Sequence, residues 1–81
     1  MSDQDLLARI TRNPEVMVGK PVIRGTRLTV DYILGLLAHG ATHGEILDEY
    51  KGLSEEDIRA CLLFAHKTLE NTAFFPLAEA V

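Results

Sequence analysis

The chain has 81 residues, of which 47% are hydrophobic and 25% are charged, and this length fits one domain. A domain of this size buries only about 60% of the surface that its unfolded chain exposes, so we expect a dimer or a partner-binding surface rather than an enzyme with a deep pocket. The net charge of −4 disfavours non-specific binding to a polyanion, because like charges repel.

The cysteine content and the first residues favour a cytoplasmic protein. Cys61 is the only cysteine, so no internal disulfide forms and a reducing compartment is expected. The sequence begins Met-Ser-Asp-Gln-Asp and has no apolar run of about 18 residues, which predicts neither a secretion signal nor a membrane span. We therefore expect no membrane contact.

Residues 1–29 are predicted to form an extended β arm. β-branched residues dominate its second half, and Pro21 and Gly25 exclude a helix there. Residues 8–12 are expected to pair with that half as a two-stranded ribbon, with a turn at positions 13 and 14. Because an isolated ribbon is marginally stable in water, it must pack on the helices or on another chain. The sequence leaves open whether the chain makes a hairpin turn or a bulge at Gly25.

A first helix is predicted directly after the arm. Apolar residues recur there with the spacing i, i+3, i+4, i+7, which places them on one helix face. They are Val30, Ile33, Leu34 and Leu37. Thr29 is the predicted N-cap, and Gly40 ends the helix because glycine adopts the left-handed conformation without strain.

Two further helices are predicted in residues 42–71. The sequence Thr42-His43-Gly44-Glu45 has the spacing of a capping box, and Ser54 caps a longer helix with three acidic residues in its first turn. The stripe expected to face the core of this last helix is Ile58, Cys61, Leu62, Ala65 and Leu69. The sequence therefore predicts a mainly α fold, a three-helix, helix-turn-helix-like bundle over residues 30–71 with the β arm in front.

Residues 72–81 form a predominantly apolar tail. Seven of these ten residues are apolar, and the largest are Phe74, Phe75 and Leu77. An exposed apolar tail would promote aggregation, so we expect it to dock. The sequence leaves three docking surfaces open: the core of the same chain, a second copy, or a partner protein.

Charge is unevenly distributed along the chain. Residues 1–30 carry five basic and three acidic residues, a net charge of +2, whereas residues 31–81 carry three basic and nine acidic residues, a net charge of −6. Any contact with nucleic acid is therefore expected from the arm, which has three basic residues and no acidic one between positions 16 and 30.

The candidate contacts with DNA or a protein partner are Lys20, Arg24, Thr26, Arg27 and Arg59. A guanidinium group suits bidentate contact with a phosphate or a carboxylate. In the alternative interpretation, the arm arginines pair with acids of the helical body, namely Asp48, Glu49 or Asp57. The acids in the first turn of the last helix are expected to repel phosphates, which counts against DNA reading by that helix.

The other polar residues do not indicate an enzyme. His39 and His43 are four residues apart, but Gly40 interrupts the helix between them and no third metal ligand is fixed nearby. The arm glycines lack the sequence of a phosphate-binding loop. Cys61 lies on the core stripe, where a thiol acts as a small hydrophobe. We expect no catalytic residue, no cofactor and no bound metal.

One part of the sequence resembles a known family. The segment GKPVIRGTR at 19–27, the following Leu-Thr-Val, the Gly-Ala-Thr break at 40–42 and the segment LSEEDI at 53–58 resemble the domain of unknown function family 433, over residues 10–65. Members of that family resemble antitoxins with a homeodomain-like helical core. The resemblance implies binding to a nuclease-like toxin of the PIN-like class and a role in transcription.

Two functions follow from the residues and the resemblance together. The first is a non-enzymatic, antitoxin-like protein that binds a PIN-like toxin through its arm or tail. As a homodimer or larger assembly, this protein would also bind its own operator DNA and repress its operon. The alternative is a small interaction or dimerisation module that keeps the helical core and does not bind DNA.

Overall fold

The computed structural model of the chain describes residues 1–71, so the apolar tail at 72–81 lies outside the described residues. The elements are α1 (Asp3–Leu7), β1 (Ile10–Asn13), β2 (Val16–Ile23), α2 (Val30–Ala38), α3 (His43–Glu49) and α4 (Glu55–Glu70). Within this part of the chain, no helix has both the length and the apolar character that crossing a membrane requires.

The three helices predicted from residue 30 onward are present, and local hydrogen bonds define their ends. The Thr29 hydroxyl accepts a 3.0 Å bond from the Tyr32 amide at the start of α2. At the start of α3, the Thr42 hydroxyl accepts from the Glu45 amide at 3.1 Å and the Glu45 carboxylate accepts from the Thr42 amide at 2.8 Å, which completes the capping box. These contacts span only three residues, so the sequence was sufficient to predict them.

Helix α2 ends at Ala38, and Gly40, which the sequence predicted to stop it, follows the C-cap residue His39. Gly40 has a φ of +100°, which is accessible to glycine at little cost. Its amide donates to the Leu37 carbonyl at 3.1 Å, and the Ala41 amide donates to the Leu36 carbonyl at 3.0 Å. This pair of bonds is the Schellman motif, which satisfies carbonyls that the helix itself leaves unpaired.

Helix α1 was not predicted, and here the structure differs from the extended chain expected over residues 1–29. Ser2 and Asp5 form a capping box: the Ser2 hydroxyl accepts from the Asp5 amide at 3.1 Å, and the Asp5 carboxylate accepts from the Ser2 amide at 3.2 Å. A helix of five residues is too short to produce a hydrophobic period, and it depends on packing instead. Its Leu6 is buried, and α1 packs against α4.

Strands β1 and β2 form the antiparallel ribbon that the sequence predicted. The register pairs Ile10 with Ile23, Thr11 with Val22 and Arg12 with Pro21, and it then shifts so that Asn13 pairs with Val16. The architecture is therefore a helical body preceded by a two-stranded sheet.

The core of the body is formed mainly by isoleucine side chains. Its buried residues are Ile23, Val30, Ile33, Ile46, Ile58 and Cys61. The predicted stripe on α4 is correct for Ile58 and Cys61, but Leu62 and Leu69 are 42% and 52% exposed. The reason lies in the packing: α1 and α2 both contact α4, and the face that they cover includes Ala60, which is fully buried.

An ion pair joins the arm to the body. The Arg9 guanidinium lies 3.1 Å from a carboxylate oxygen of Asp57, and the two side chains are only 30% and 12% exposed. The other oxygen of Asp57 accepts from the Ser54 amide at 2.9 Å and from the Ser54 hydroxyl at 3.2 Å, so the carboxylate also caps α4. Asp57 is therefore held from both sides of the junction between arm and body.

We predict that Arg9→Ala destabilises the fold by about 3 kcal/mol, the low end of the cost of leaving a buried charge unpaired. The control is Lys51→Ala, which breaks the Lys51–Asp48 pair, whose side chains are 79% and 84% exposed. That change should cost about 0.5 kcal/mol or less. Urea unfolding of both variants measures the difference, and equal costs would contradict a structural role for Arg9.

Candidate interface on the N-terminal arm

The segment between β2 and α2 is a closed turn, which resolves the alternative that the sequence left open at Gly25. The Thr26 amide donates to the Ile23 carbonyl at 3.0 Å, and the Ile23 amide donates to the Leu28 carbonyl at 3.0 Å. Gly25 has a φ of +82°, a conformation that strains other residues. The turn 24–27 is thus a defined loop whose backbone is fixed at both ends.

Thr26, a predicted contact residue, uses its hydroxyl within this turn. The hydroxyl donates to the Ile23 carbonyl at 2.8 Å and accepts from the Leu28 amide at 3.0 Å. The hydroxyl therefore donates one hydrogen bond and accepts another within the turn. These bonds help to fix the turn that carries the arginines.

Arg24 and Arg27 lie on either side of Gly25 and are exposed. Neither side chain forms an ion pair with any of residues 1–71, and the same is true of Arg12 and Lys20 on the strands. Arg24 and Arg27 therefore do not pair with Asp48, Glu49 or Asp57 in the described chain, and the arm arginine that does pair with Asp57 is Arg9. These four cations are exposed and available to a partner.

Arg9 holds the turn close to the start of α4. Its carbonyl accepts a 2.7 Å bond from the Arg24 amide, while its guanidinium pairs with Asp57 in the first turn of α4. Arg59, the remaining predicted contact, lies two residues beyond Asp57 and is exposed. The structure thus brings the turn of the arm and the N-terminal end of α4 together, although 48 residues separate Arg9 from Asp57.

The acids at the start of α4 are largely engaged in local contacts. Asp57 pairs with Arg9, and the Glu55 carboxylate accepts from Nδ1 of His43 at 2.6 and 2.9 Å. Glu56 is half-buried. Because Asp57 has a cationic partner within the fold, the negative charge that these acids present to a phosphate backbone is smaller than the sequence suggested.

The histidines also make local contacts. Nδ1 of His39 donates to the Gly35 carbonyl at 2.7 Å, and Nε2 of His66 lies 3.8 Å from the Glu70 carboxylate. Within residues 1–71, no group of three or more His, Cys, Asp or Glu side chains is arranged to hold a metal ion.

Two contacts in the fold were not predicted from the sequence. Arg9 had no assigned role, because its partner is distant in the chain. The hydroxyls of Tyr32 and Tyr50 lie 2.5 Å apart with their rings edge-on at 6.1 Å, which links α2 to the end of α3. This bond raises the pKa of Tyr50. No local pattern signals either contact.

Both strands, the turn 24–27 and helices α2 and α3 lie within the region that one family model matches. The family model described as "Protein of unknown function (DUF433)" matches residues 10–65, which include both strands, the turn and the first part of α4. The chain belongs to the DUF433 family.

A solved structure of another DUF433 protein supports the fold. The crystal structure of a DUF433 member protein from Anabaena variabilis is 33% identical to this chain, with a TM-score of 0.74. The similarity covers 83% of this chain and 66% of that one. No match was found among curated proteins.

Cys61 is chemically inert in this DUF433 fold. Its side chain is fully buried, and burial, together with the charge of Asp57, raises the pKa of the thiol to about 12. A thiol in this state is protonated at neutral pH and is a poor nucleophile.

We predict that the native protein at pH 8 reacts with a disulfide reagent such as DTNB only when it unfolds. The control is Val18→Cys, since Val18 is 93% exposed and its cysteine should react at once. Reaction of Cys61 at the rate of that exposed cysteine would contradict the buried environment.

Proposed function

We propose that this DUF433 chain is a non-enzymatic, antitoxin-like cytoplasmic protein that binds a PIN-like toxin and, as a dimer, its own operator DNA. The observation that carries the proposal is the closed turn 24–27, whose two exposed arginines have no ion-pair partner among residues 1–71. Buried or paired arginines would have indicated a purely structural role. The antitoxin role itself comes from the resemblance of the family to antitoxins.

The position of the turn supports a phosphate contact. Arg24 and Arg27 can each place a planar guanidinium against a phosphate, and the turn that carries them is fixed by backbone bonds and by Arg9. A pre-ordered site loses less conformational entropy on binding than a mobile one. Lys20 of β2 is a further exposed cation of the arm.

The arrangement of α3 and α4 supports a helix-turn-helix-like role. Five residues, including Gly52, connect Glu49 at the end of α3 with Glu55 at the start of α4. In a helix-turn-helix, the second helix enters the major groove and reads base edges. Here α4 offers Arg59, an exposed side chain in its N-terminal half, and we propose that the arm supplies the remaining contacts to the DNA backbone.

We propose that the toxin binds the acidic part of the chain. Residues 31–81 carry a net charge of −6, which complements a basic protein surface. Binding of such a partner would reduce repulsion between this region and DNA, so the toxin is expected to tighten operator binding.

A second function, a protein-interaction module that does not bind DNA, is favoured by a different observation. Leu62 and Leu69 of α4 are 42% and 52% exposed, on a face where a DNA-reading helix would carry polar side chains. Exposed apolar residues at helical spacing are typical of contacts between proteins.

We predict that Arg24→Ala combined with Arg27→Ala lowers the salt dependence of DNA binding. Each lost phosphate contact reduces the slope of log affinity against log salt by about 0.9, so the double variant should lose about two units per bound chain. The matched control is Lys51→Ala with Lys67→Ala, which removes the same charge from lysines already paired with Asp48 and Glu70.

Binding isotherms on upstream DNA at 50–200 mM salt measure both slopes. Equal slopes in the two variants would contradict phosphate contact by the turn. Thermal unfolding of the same proteins provides the structural control: because Arg24 and Arg27 make no ion pair with the described residues, the double variant should melt at nearly the wild-type temperature.

We also predict that this protein binds its operator weakly by itself and more tightly in the presence of the toxin. A dimer presents six cations, Lys20, Arg24 and Arg27 from each arm, so affinity should fall about a thousandfold between 50 and 200 mM salt. Titration of the protein's upstream DNA, with and without the PIN-like product of the neighbouring gene, measures this. Toxin binding without DNA binding at 50 mM salt would favour the interaction module.

A further inference from the structure

An apolar groove runs between β2, α2 and the second half of α4. Its volume is about 650 Å³, and the apolar side chains that line it are Pro21, Val30, Leu34, Phe64, Ala65 and Leu69. Lys20 lies at its edge. The groove thus lies where the described helical body meets the arm.

The wall that α4 contributes to this groove lacks a covering element among the described residues. Ala65 and Leu69 line the groove from α4 and are four residues apart, which places them on one helix face. Leu69 remains 52% exposed, although it lies beside buried residues of α2. Burying apolar surface contributes about 25 cal/mol per Å², so an apolar segment would gain free energy by docking here.

We propose that the groove binds residues 74–77 of the same chain, with Phe74, Phe75 and Leu77 as its apolar contacts. Helix α4 ends at Glu70, with Asn71 as its C-cap. The lining residues Phe64 and Leu69 lie within the last two turns of α4, six residues and one residue before its end, which is about 9 Å and about 1.5 Å at a rise of 1.5 Å per residue. Phe74 is three positions beyond Asn71, a length over which a chain can span at most about 10 Å.

The covalent connection favours the chain's own segment over a second copy. A short linker holds a tethered segment at an effective concentration in the millimolar range, far above the micromolar concentration of a separate molecule. The groove and the apolar segment are also matched in chemistry, since both are predominantly apolar. Docking would bury Leu69, one of the α4 residues that the sequence predicts to be core.

A spin label tests the proposal without altering the three apolar side chains. The label is attached to the variant Ala73→Cys, and Cys61 stays unlabelled because it is fully buried and its pKa is raised to about 12. In the full-length ¹⁵N-labelled protein, we expect strong paramagnetic broadening of the amides of Val30, Leu34 and Leu69. The amides of α3, none of which belongs to the groove-lining residues, serve as the reference.

A mixed sample distinguishes the two sources of the segment. One chain carries ¹⁵N and no spin label, and the other carries the spin label and no ¹⁵N. Broadening within the labelled chain but not in the mixture supports binding within one molecule. Broadening in the mixture would assign the groove to a second copy, and no broadening in either sample would show that the segment does not bind there; both results overturn the proposal.

A pair of matched substitutions in α4 provides the control. Leu69→Ser removes a lining residue and should reduce the broadening at Val30 and Leu34 severalfold. Leu62→Ser removes a leucine of similar exposure that does not line the groove, and the broadening should persist. Equal broadening in both variants would overturn the proposal. Neither experiment involves DNA or a toxin, so both are independent of the proposed function.

Discussion

The contact between Arg9 and Asp57 organises this small domain. Asp57 is buried at the start of α4, and a carboxylate in that position requires compensation for the hydration that it loses. The Ser54 amide and the Arg9 guanidinium both provide this compensation. Because the Arg9 carbonyl also accepts from the Arg24 amide, the same residue positions the turn of the arm.

This arrangement divides the charged residues into two groups. One group stabilises the fold: Arg9 with Asp57, His43 with Glu55, and the carboxylates of the capping boxes. The caps hold the pKa values of Asp5 and Glu45 below their usual values, since backbone amides favour the ionised carboxylate. The other group, the four cations of the strands and the turn, has no partner in the described fold. Charges that the fold does not itself use are available to an interface.

The apolar residues divide in the same way. Six buried side chains form the core of the body, yet α4 also presents leucines that this core does not cover. A chain of 81 residues buries a smaller fraction of its surface on folding than a larger domain does. Each further apolar contact therefore matters for its stability. The groove between β2, α2 and α4 is the place in the described structure where such a contact would add to the existing core.

The sequence by itself determined the features that depend on neighbouring residues. Thr29, Thr42 and Gly40 set the helix ends through bonds that span three to five positions, and the ribbon follows from β-branched residues around Pro21. The string around Arg24 and Arg27 also indicated the family.

Only the tertiary structure decided the features that depend on residues far apart in the chain. Arg9 and Asp57 are 48 positions apart and leave no local pattern, so the sequence offered only the alternative in which an arginine of the turn pairs with Asp48, Glu49 or Asp57. Likewise, the periodicity of α4 is compatible with more than one buried face. The packing of α1 and α2 selected the face that includes Ala60 and left Leu62 and Leu69 exposed, because burial is determined by neighbouring elements rather than by the helix itself.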